Sequence, residues 1–267
     1  MPFRIVQSKQ NSRLKELRRL LLHPAQQARG LAAIEGPKLL EEALRAGLHI
    51  DSVFVAQGAE ELLEPLLLPA QTEVLLVPRE VLESALSTET PQPVAALIEQ
   101  PAWRWEDVFL PGAKAAPLLL ILACVQDPGN MGTILRSAEA FGVQAILSLP
   151  GTVSAWNPKA VRASAGSLFR LPMLTVSAEE CIARLRDAGV KIWTTAVNGA
   201  EAADRLDLVG PVAMIIGNEG NGVPGSLAVL ADGALTIPCP GPVESLNAAV
   251  AASVLLYEAA RQRKRAK

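Results

Sequence analysis

Apolar and polar positions run through this chain in two periods. In SRLKELRRLLL, Leu14, Leu17, Leu20 and Leu21 recur three and four apart, which predicts an amphipathic helix with Ser12 as its cap. LAAIEG is a short apolar run closed by a glycine, and GPKLLEEALRAG has proline near its start and glycine at its end, the usual helix asymmetry. IDSVFVA alternates as a strand does. A helix near 60–67, a strand EVLLV, a helix near 79–86 and a strand PVAALIE complete a small α/β domain over 1–100.

Residues 101–116 lose this regularity. PAWRWEDVFLPGAKAAP holds prolines, a glycine and two tryptophans without a clean period, and reads as a linker, with WRWEDVF able to pack on a domain surface. From 117 to 267 the pattern is different. LLLILACV is continuously apolar, as a strand buried on both faces must be. Similar runs recur at QAILSL, VKIWTTAV, PVAMIIG and ALTIP, with helical patterns between them, so the second domain is predicted to be α/β with a parallel sheet. In such sheets ligands bind beyond the carboxyl ends of the strands.

Composition agrees with a folded chain. Half of the 267 residues are hydrophobic and 19% are charged, enough apolar matter for a sizeable core. No apolar stretch reaches the roughly 18 residues of a membrane span, and the first residues lack the apolar region of a secretory signal. Cys124, Cys181 and Cys239 lie far apart with no C-x-x-C, so neither a disulfide frame nor a zinc site is expected, which fits a reducing cytoplasm. His23 and His49 are too few for a metal cluster, and no metal is expected.

Net charge is −2, but it is unevenly spread. Residues 1–30 carry seven bases against Glu16 alone, the last seven residues carry five more, and 59–108 is acidic. Basic ends suit a polyanion and equally suit solvated tails. On the first reading Lys9, Arg13, Arg18, Arg19 and Lys38 are candidates for RNA contact.

Three loops carry chemistry. In VQDPGNMGTILRSAEAFG, Asn130 is a credible cap for the following helix, and Arg136 can lie back over the small residues Gly132 and Thr133 toward the loop or pair on the surface with Glu139. GNEGNGV, after the run VAMII, spaces glycines as G-x-x-G-x-G, which is neither a dinucleotide fingerprint nor a Walker loop. It reads either as a turn or as a place where backbone approaches a ligand closely. In TIPCPGPVESLNAAVAASVLLYE, a proline-stiffened loop leads to Ser245 as helix cap and Asn247 in the first turn of an alanine-rich helix. The polar content is Asn, Arg, Glu, Ser and Asn, which orients and polarises rather than forming covalent bonds.

Taken in order, DPGNMGTILRSAEAFG, IIGNEGNGVP and IPCPGPVESLNAAVAASVLLYE resemble the three signature motifs of the SpoU (TrmH) branch of the SPOUT RNA methyltransferases, and NPKAVRASAGSLFRLPM resembles that family's middle segment. EGPKLLEEALRAGLHIDSVFVA is similar to the RNA-binding domain, like a small ribosomal protein, that precedes many of these enzymes. The resemblance implies a deep C-terminal trefoil knot, S-adenosyl-L-methionine as methyl donor, a ribose 2′-hydroxyl of RNA as acceptor and a homodimer. Ribosomal RNA is the expected substrate; a transfer RNA enzyme, or a non-catalytic RNA-binding protein with the same fold, is the alternative. By motif position it implies Asn130, Arg136, Glu219, Ser245 and Asn247 as catalytic residues. It also implies Gly217, Asn218, Gly220, Ile237, Cys239, Ser245 and Leu246 around the donor. Cys239 stands where the family usually has methionine. The glycine loop is then expected to cradle the adenosine, where side chains would collide with it.

Overall fold

A computed structural model describes residues 3–24, 30–109, 116–197 and 199–266. The chain divides into two compact units. One is Met1–Ala102 with Ser154–Arg170, and the other is Trp103–Val153 with Leu171–Lys267.

The first unit is built on a five-stranded sheet: β1 (Phe3–Ile5), β2 (Leu31–Glu35), β3 (Ile50–Ala56), β4 (Glu73–Val77) and β5 (Val94–Glu99), in the order β1-β4-β3-β5-β2. β4 runs parallel to β1 and β3, while β5 runs antiparallel to β3 and β2. IDSVFVA forms the central strand β3. It is therefore buried on both faces, and the polar alternation expected of a half-buried strand is not observed; even Ser52 is buried.

Helix α1 (Ser12–Leu22) buries the four leucines that the spacing singles out. Its cap is Asn11, not Ser12: the Asn11 side chain accepts from the N–H groups of Arg13 and Leu14. Helix α2 (Pro37–Arg45) starts at its proline and buries Leu39, Leu40 and Ala43. Helix α3 (Arg79–Glu83) is shorter than its pattern, and the segment near 60 forms only a 3-10 turn, Glu60–Leu63.

The excursion Ser154–Arg170 belongs to this unit, although its place in the sequence assigns it to the second domain. Its helix, α6 (Pro158–Ser164), packs on β2. Trp156 stacks on Phe169 with ring centroids 6.1 Å apart, and Arg170 pairs with Glu42 at 2.6 Å. Gly166 has a φ of +88° and lies so close to Glu42 that an added Cβ would fall 2.7 Å from that side chain.

The second unit begins inside the expected linker. Helix α4 (Trp105–Val108) buries Val108 against the second core, Trp105 Nε1 donates to Glu180 Oε1 at 2.7 Å, and the Arg184 guanidinium sits over the Trp105 ring. Apolar rings found a covered face there, so 103–109 is an element of the unit and not a tether; residues 110–115 lie outside the described residues.

The sheet of this unit is β6 (Leu118–Leu122), β7 (Ala145–Ser148), β8 (Met173–Thr175), β9 (Lys191–Thr195), β10 (Glu201–Ala202), β11 (Val212–Ile216) and β12 (Gly233–Thr236). All pairings are parallel, in the order β10-β12-β9-β11-β6-β7-β8. The central strands β6 and β11 are fully buried, as continuous apolar runs require.

Helices α5 (Pro128–Ala140), α7 (Ala178–Asp187), α8 (Gly225–Ala228) and α9 (Ala248–Arg265) complete the unit. Cys181 on α7 is wholly buried, which pushes its thiol up to about 12 and leaves it an inert core group. The end of α9 is pinned by Arg263, whose guanidinium donates to the carbonyls of Ala116, Pro117, Leu208 and Gly210.

Candidate active site

Because the second sheet is parallel, the segments that follow β6, β11 and β12 all leave from its carboxyl edge. The first of them turns at Cys124, whose φ of +60° is rare for a residue with a side chain. It enters α5 at Asp127, whose carboxylate caps the helix by accepting from Asn130 N–H at 2.8 Å. Asn130 is thus not the cap. It sits in the first turn of α5, where its amide is free to reach across to the other loops.

The second segment closes on itself. Asn218 N–H donates to Gly222 C=O at 2.9 Å, and Gly222 N–H returns the bond at 3.0 Å. The Asn218 side-chain oxygen accepts from Gly220 N–H and Asn221 N–H at 2.9 and 3.0 Å. A Cβ on Gly217 would fall 2.2 Å from the Gly222 carbonyl carbon. The glycine at 217 is therefore required by the loop's own backbone, a reason the sequence does not show. Gly220 has no such crowding, and Gly222 is used for its φ of +66°.

The third segment leads into α9. Its cap is Asn247, whose side-chain oxygen accepts from Ala249 N–H and Val250 N–H. Ser245 lies two residues before the cap and is exposed, so the cap is the amide of Asn247 and not the expected hydroxyl.

Glu219 joins the three. Its carboxylate accepts from Gln126 N–H at 3.2 Å, Asp127 N–H at 3.1 Å and the Asn130 amide at 2.9 Å. The other end of the Asn130 amide accepts from Asn247 Nδ2 at 3.0 Å. Partial burial pushes the Glu219 carboxyl up. The bonds from Asn130, its own backbone N–H, Asp127 and Gln126 outweigh that and hold it below the usual carboxylate range, so it is an anion at neutral pH. Gln126 and Asp127 were not legible as site residues, since they act through backbone N–H groups; only the Asp-Pro pair at a helix start hints at a cap.

Beside this chain lies a cleft of about 720 Å³. Its floor is the strand ends at Thr195, Ile216 and Thr236, and the expected residues Gly217, Asn218, Gly220, Ile237, Cys239, Ser245 and Leu246 all line it, with Glu219. Thr195 and Val197 line it too, without any signal in the sequence beyond their place at the end of a strand. Arg136 does not line it: the residue is exposed on α5 and makes no hydrogen bond or ion pair with a described residue, Glu139 included. Among the described residues no cluster of His, Cys, Asp and Glu could hold a metal, and no helix is long and apolar enough to cross a membrane.

In the first unit Lys9, Arg18 and Lys38 are exposed, while Arg19 is half-buried and engaged. Arg13 is bound by Glu16, Asp51 and Glu73 at 3.1–3.3 Å. Burial works against its charge, but those carboxylates hold the guanidinium above its usual range. Its guanidinium is engaged by carboxylates of its own unit.

The SpoU rRNA Methylase family matches residues 117–257, and the MRM3-like substrate binding domain matches 11–96. The 23S rRNA (guanosine(2553)-2'-O)-methyltransferase RlmP of Bacillus subtilis is 32% identical over 252 residues, 94% of this chain and 97% of that protein. The SpoU methyltransferase AviRb from Streptomyces viridochromogenes, solved in complex with AdoMet, superposes with a TM-score of 0.83 at 29% identity, over 96% of this chain and 99% of its own. An AdoMet-bound rRNA methyltransferase from Sinorhizobium meliloti gives 0.85 at 30%, over 97% and 98%. Matched over more than half its length by the family and along nearly all of it by a single relative, the chain belongs to the SpoU rRNA methylase family.

Proposed function

We propose that the chain transfers the methyl group of S-adenosylmethionine to a ribose 2′-hydroxyl of ribosomal RNA. The observation that carries this reading is the hydrogen-bonded chain Asn247–Asn130–Glu219 beside a cleft of the size that small-molecule sites have. The chemistry of the loop 217–222 fits such a donor. The N–H groups of 218, 220, 221 and 222 are all spent inside the loop, and no described group donates to the carbonyls of Glu219, Gly220 and Asn221. Such a rim offers acceptors, not the N–H nest that binds phosphate. It suits the amino and hydroxyl groups of an adenosine and a cationic sulfonium, and disfavours a nucleotide. Ile216, Ile237 and Leu246 supply apolar walls.

When bound, the donor supplies an electrophilic methyl group on sulfur. The chain's own residues then have to orient and ionise a ribose hydroxyl. Each of Asn130 and Asn247 has one amide proton committed in the chain and a second available for the acceptor. Together with the exposed Ser245 hydroxyl they fix its direction. Arg136 cannot serve as an ordinary base, since a guanidinium holds its proton at neutral pH. It stabilises the developing alkoxide and the adjacent phosphate as the methyl–sulfur bond breaks and the carbon–oxygen bond forms, and the hydroxyl proton passes to solvent water.

Arg136 reaches a cleft through a second copy of the chain. Val250, Val254 and Tyr257 of α9 are exposed, and with Thr133 of α5 they line a shallow apolar groove one helical turn from Arg136. Covering that groove in a homodimer brings Arg136 to the boundary between protomers. The C-terminal segment is read as threaded into a trefoil knot. In support, the segments around 217–223 and 237–246 line one cleft while α9 returns to the amino ends of β6 and β11. The first unit grips RNA by shape and phosphate, for aromatic residues are only 4% of the sequence. The place of action is the cytoplasm.

The test is transfer of labelled methyl to ribosomal RNA from cells lacking this protein, followed by mapping of ribose methylation. Incorporation at a 2′-oxygen of ribosomal RNA is the expected result. Absence of any transfer, or transfer to transfer RNA alone, ends the reading.

A further inference from the structure

We propose that Asn218 and Cys124 are positioning residues that together set Glu219 against Asn130. The inference rests on the methyl-transfer reading above.

Asn218 lines the cleft, but both ends of its side chain are committed to protein. Its oxygen holds the N–H groups of Gly220 and Asn221, and its nitrogen donates to the Cys124 carbonyl at 2.9 Å and, more distantly, to Glu219 Oε2 at 3.4 Å. That carbonyl is available because Cys124 adopts the left-handed backbone. The turn is held from the other side: Cys124 N–H donates to Thr152 Oγ1 at 3.0 Å, and the Thr152 hydroxyl donates to the Leu122 carbonyl at 3.0 Å. A second strap, Val153 N–H to the Val125 carbonyl at 2.8 Å, runs alongside. Gly151 leaves room for the thiol, since a Cβ there would fall 3.1 Å from Cys124 Sγ.

The next residues on each side of this tie are the reactive ones. Glu219 follows Asn218 directly, and Gln126 and Asp127, which feed its carboxylate, follow Cys124 by two and three positions. The Asn218–Cys124 bond is thus the fixed point from which both halves of the Glu219–Asn130 contact are measured. Left-handed backbone is strained for a residue with a Cβ, and such strain persists only where its surroundings enforce it. Here the enforcing groups are Thr152 and Asn218, and the benefit falls on the site.

Asn218→Asp keeps the acceptor for Gly220 and Asn221, removes the donor to Cys124 and to Glu219 Oε2, and sets a second carboxylate beside Glu219. It is expected to lower kcat about tenfold or more, with KM for RNA held within about twofold, because a misplaced group loses the transition state rather than the substrate. Cys124→Val, a branched side chain unsuited to positive φ, is expected to lose turnover similarly, and Cys124→Gly, which keeps the carbonyl and the backbone, to restore it. The double variant Asn218→Asp with Cys124→Val should be no worse than the poorer single one. Amide hydrogen exchange gives a reading independent of activity: the N–H groups of Gln126 and Asp127 should exchange faster in both single variants. The proposal is overturned if Asn218→Asp keeps wild-type turnover, if the two losses multiply, or if those amides stay protected. Where the wild type transfers no methyl at all, it is the functional reading that fails, and the exchange result alone decides this one.

Discussion

The two units handle their polar groups in opposite ways. In the first, the charged side chains at the β1-β4-β3 edge neutralise one another: Arg4 and Arg13 meet Glu73, and Arg13 also meets Glu16 and Asp51. In the second, Glu219, Asn130 and Asn247 form a single line with one anion, no described cation beside it and amide protons left over. The first unit satisfies these charges internally and leaves others, such as Lys9 and Arg18, exposed. A site that must act on a hydroxyl has to keep donors and acceptors ordered but not exhausted.

The sharpest way to break this contrast is Gly217→Ala. The added methyl meets the backbone of Gly222 and Val223, so the loop cannot close; donor binding by calorimetry should vanish and the second unit should lose roughly 4 kcal/mol. Normal donor binding would mean that the ordered loop is irrelevant. Next comes Glu219→Gln, which keeps the shape and removes the charge that three N–H donors serve; kcat should fall on the order of a hundredfold. The same residue predicts an acid limb. Because the folded state holds this carboxyl below its usual range, the tie is intact above that range and is lost as pH falls through the depressed value. Donor affinity should decline there in the wild type and not in Glu219→Gln.

On the other side of the comparison, Arg13→Ala should lower stability by about 1 kcal/mol in thermal melts, since the network is partly solvated, and leave the salt dependence of RNA binding unchanged. The smallest effect sharpens that point: Lys9→Ala or Arg18→Ala should each reduce the slope of log affinity against log salt by about one, with no loss of stability. If Arg13→Ala reduced the slope as they do, the division between structural and RNA-facing cations would be wrong.

Much of this was legible in sequence. The continuous apolar runs at 118–122 and 212–216 announce a buried parallel sheet, and the three polar segments follow its strands. What escaped is what depends on partners distant in sequence. Arg13 looks like one more base in a basic stretch until Glu73, 60 residues on, is brought beside it. Gly217 looks like a ligand-facing glycine until Gly222 folds over it. The caps moved for a local reason. Asn11, Asp127 and Asn247 each stand at the residue where helical geometry begins, and a neighbouring serine or asparagine offers the same chemistry in the sequence without that position.

The excursion Ser154–Arg170 has a further consequence. The chain passes from one unit to the other three times, after 102, after 153 and after 170, so no single cut separates them. A fragment starting at Trp103 would carry α6 away from the β2 surface that covers it, and one ending at Ala102 would leave that surface bare. Exchange of the first unit between relatives, by recombination or by design, therefore has to move two stretches of sequence at once.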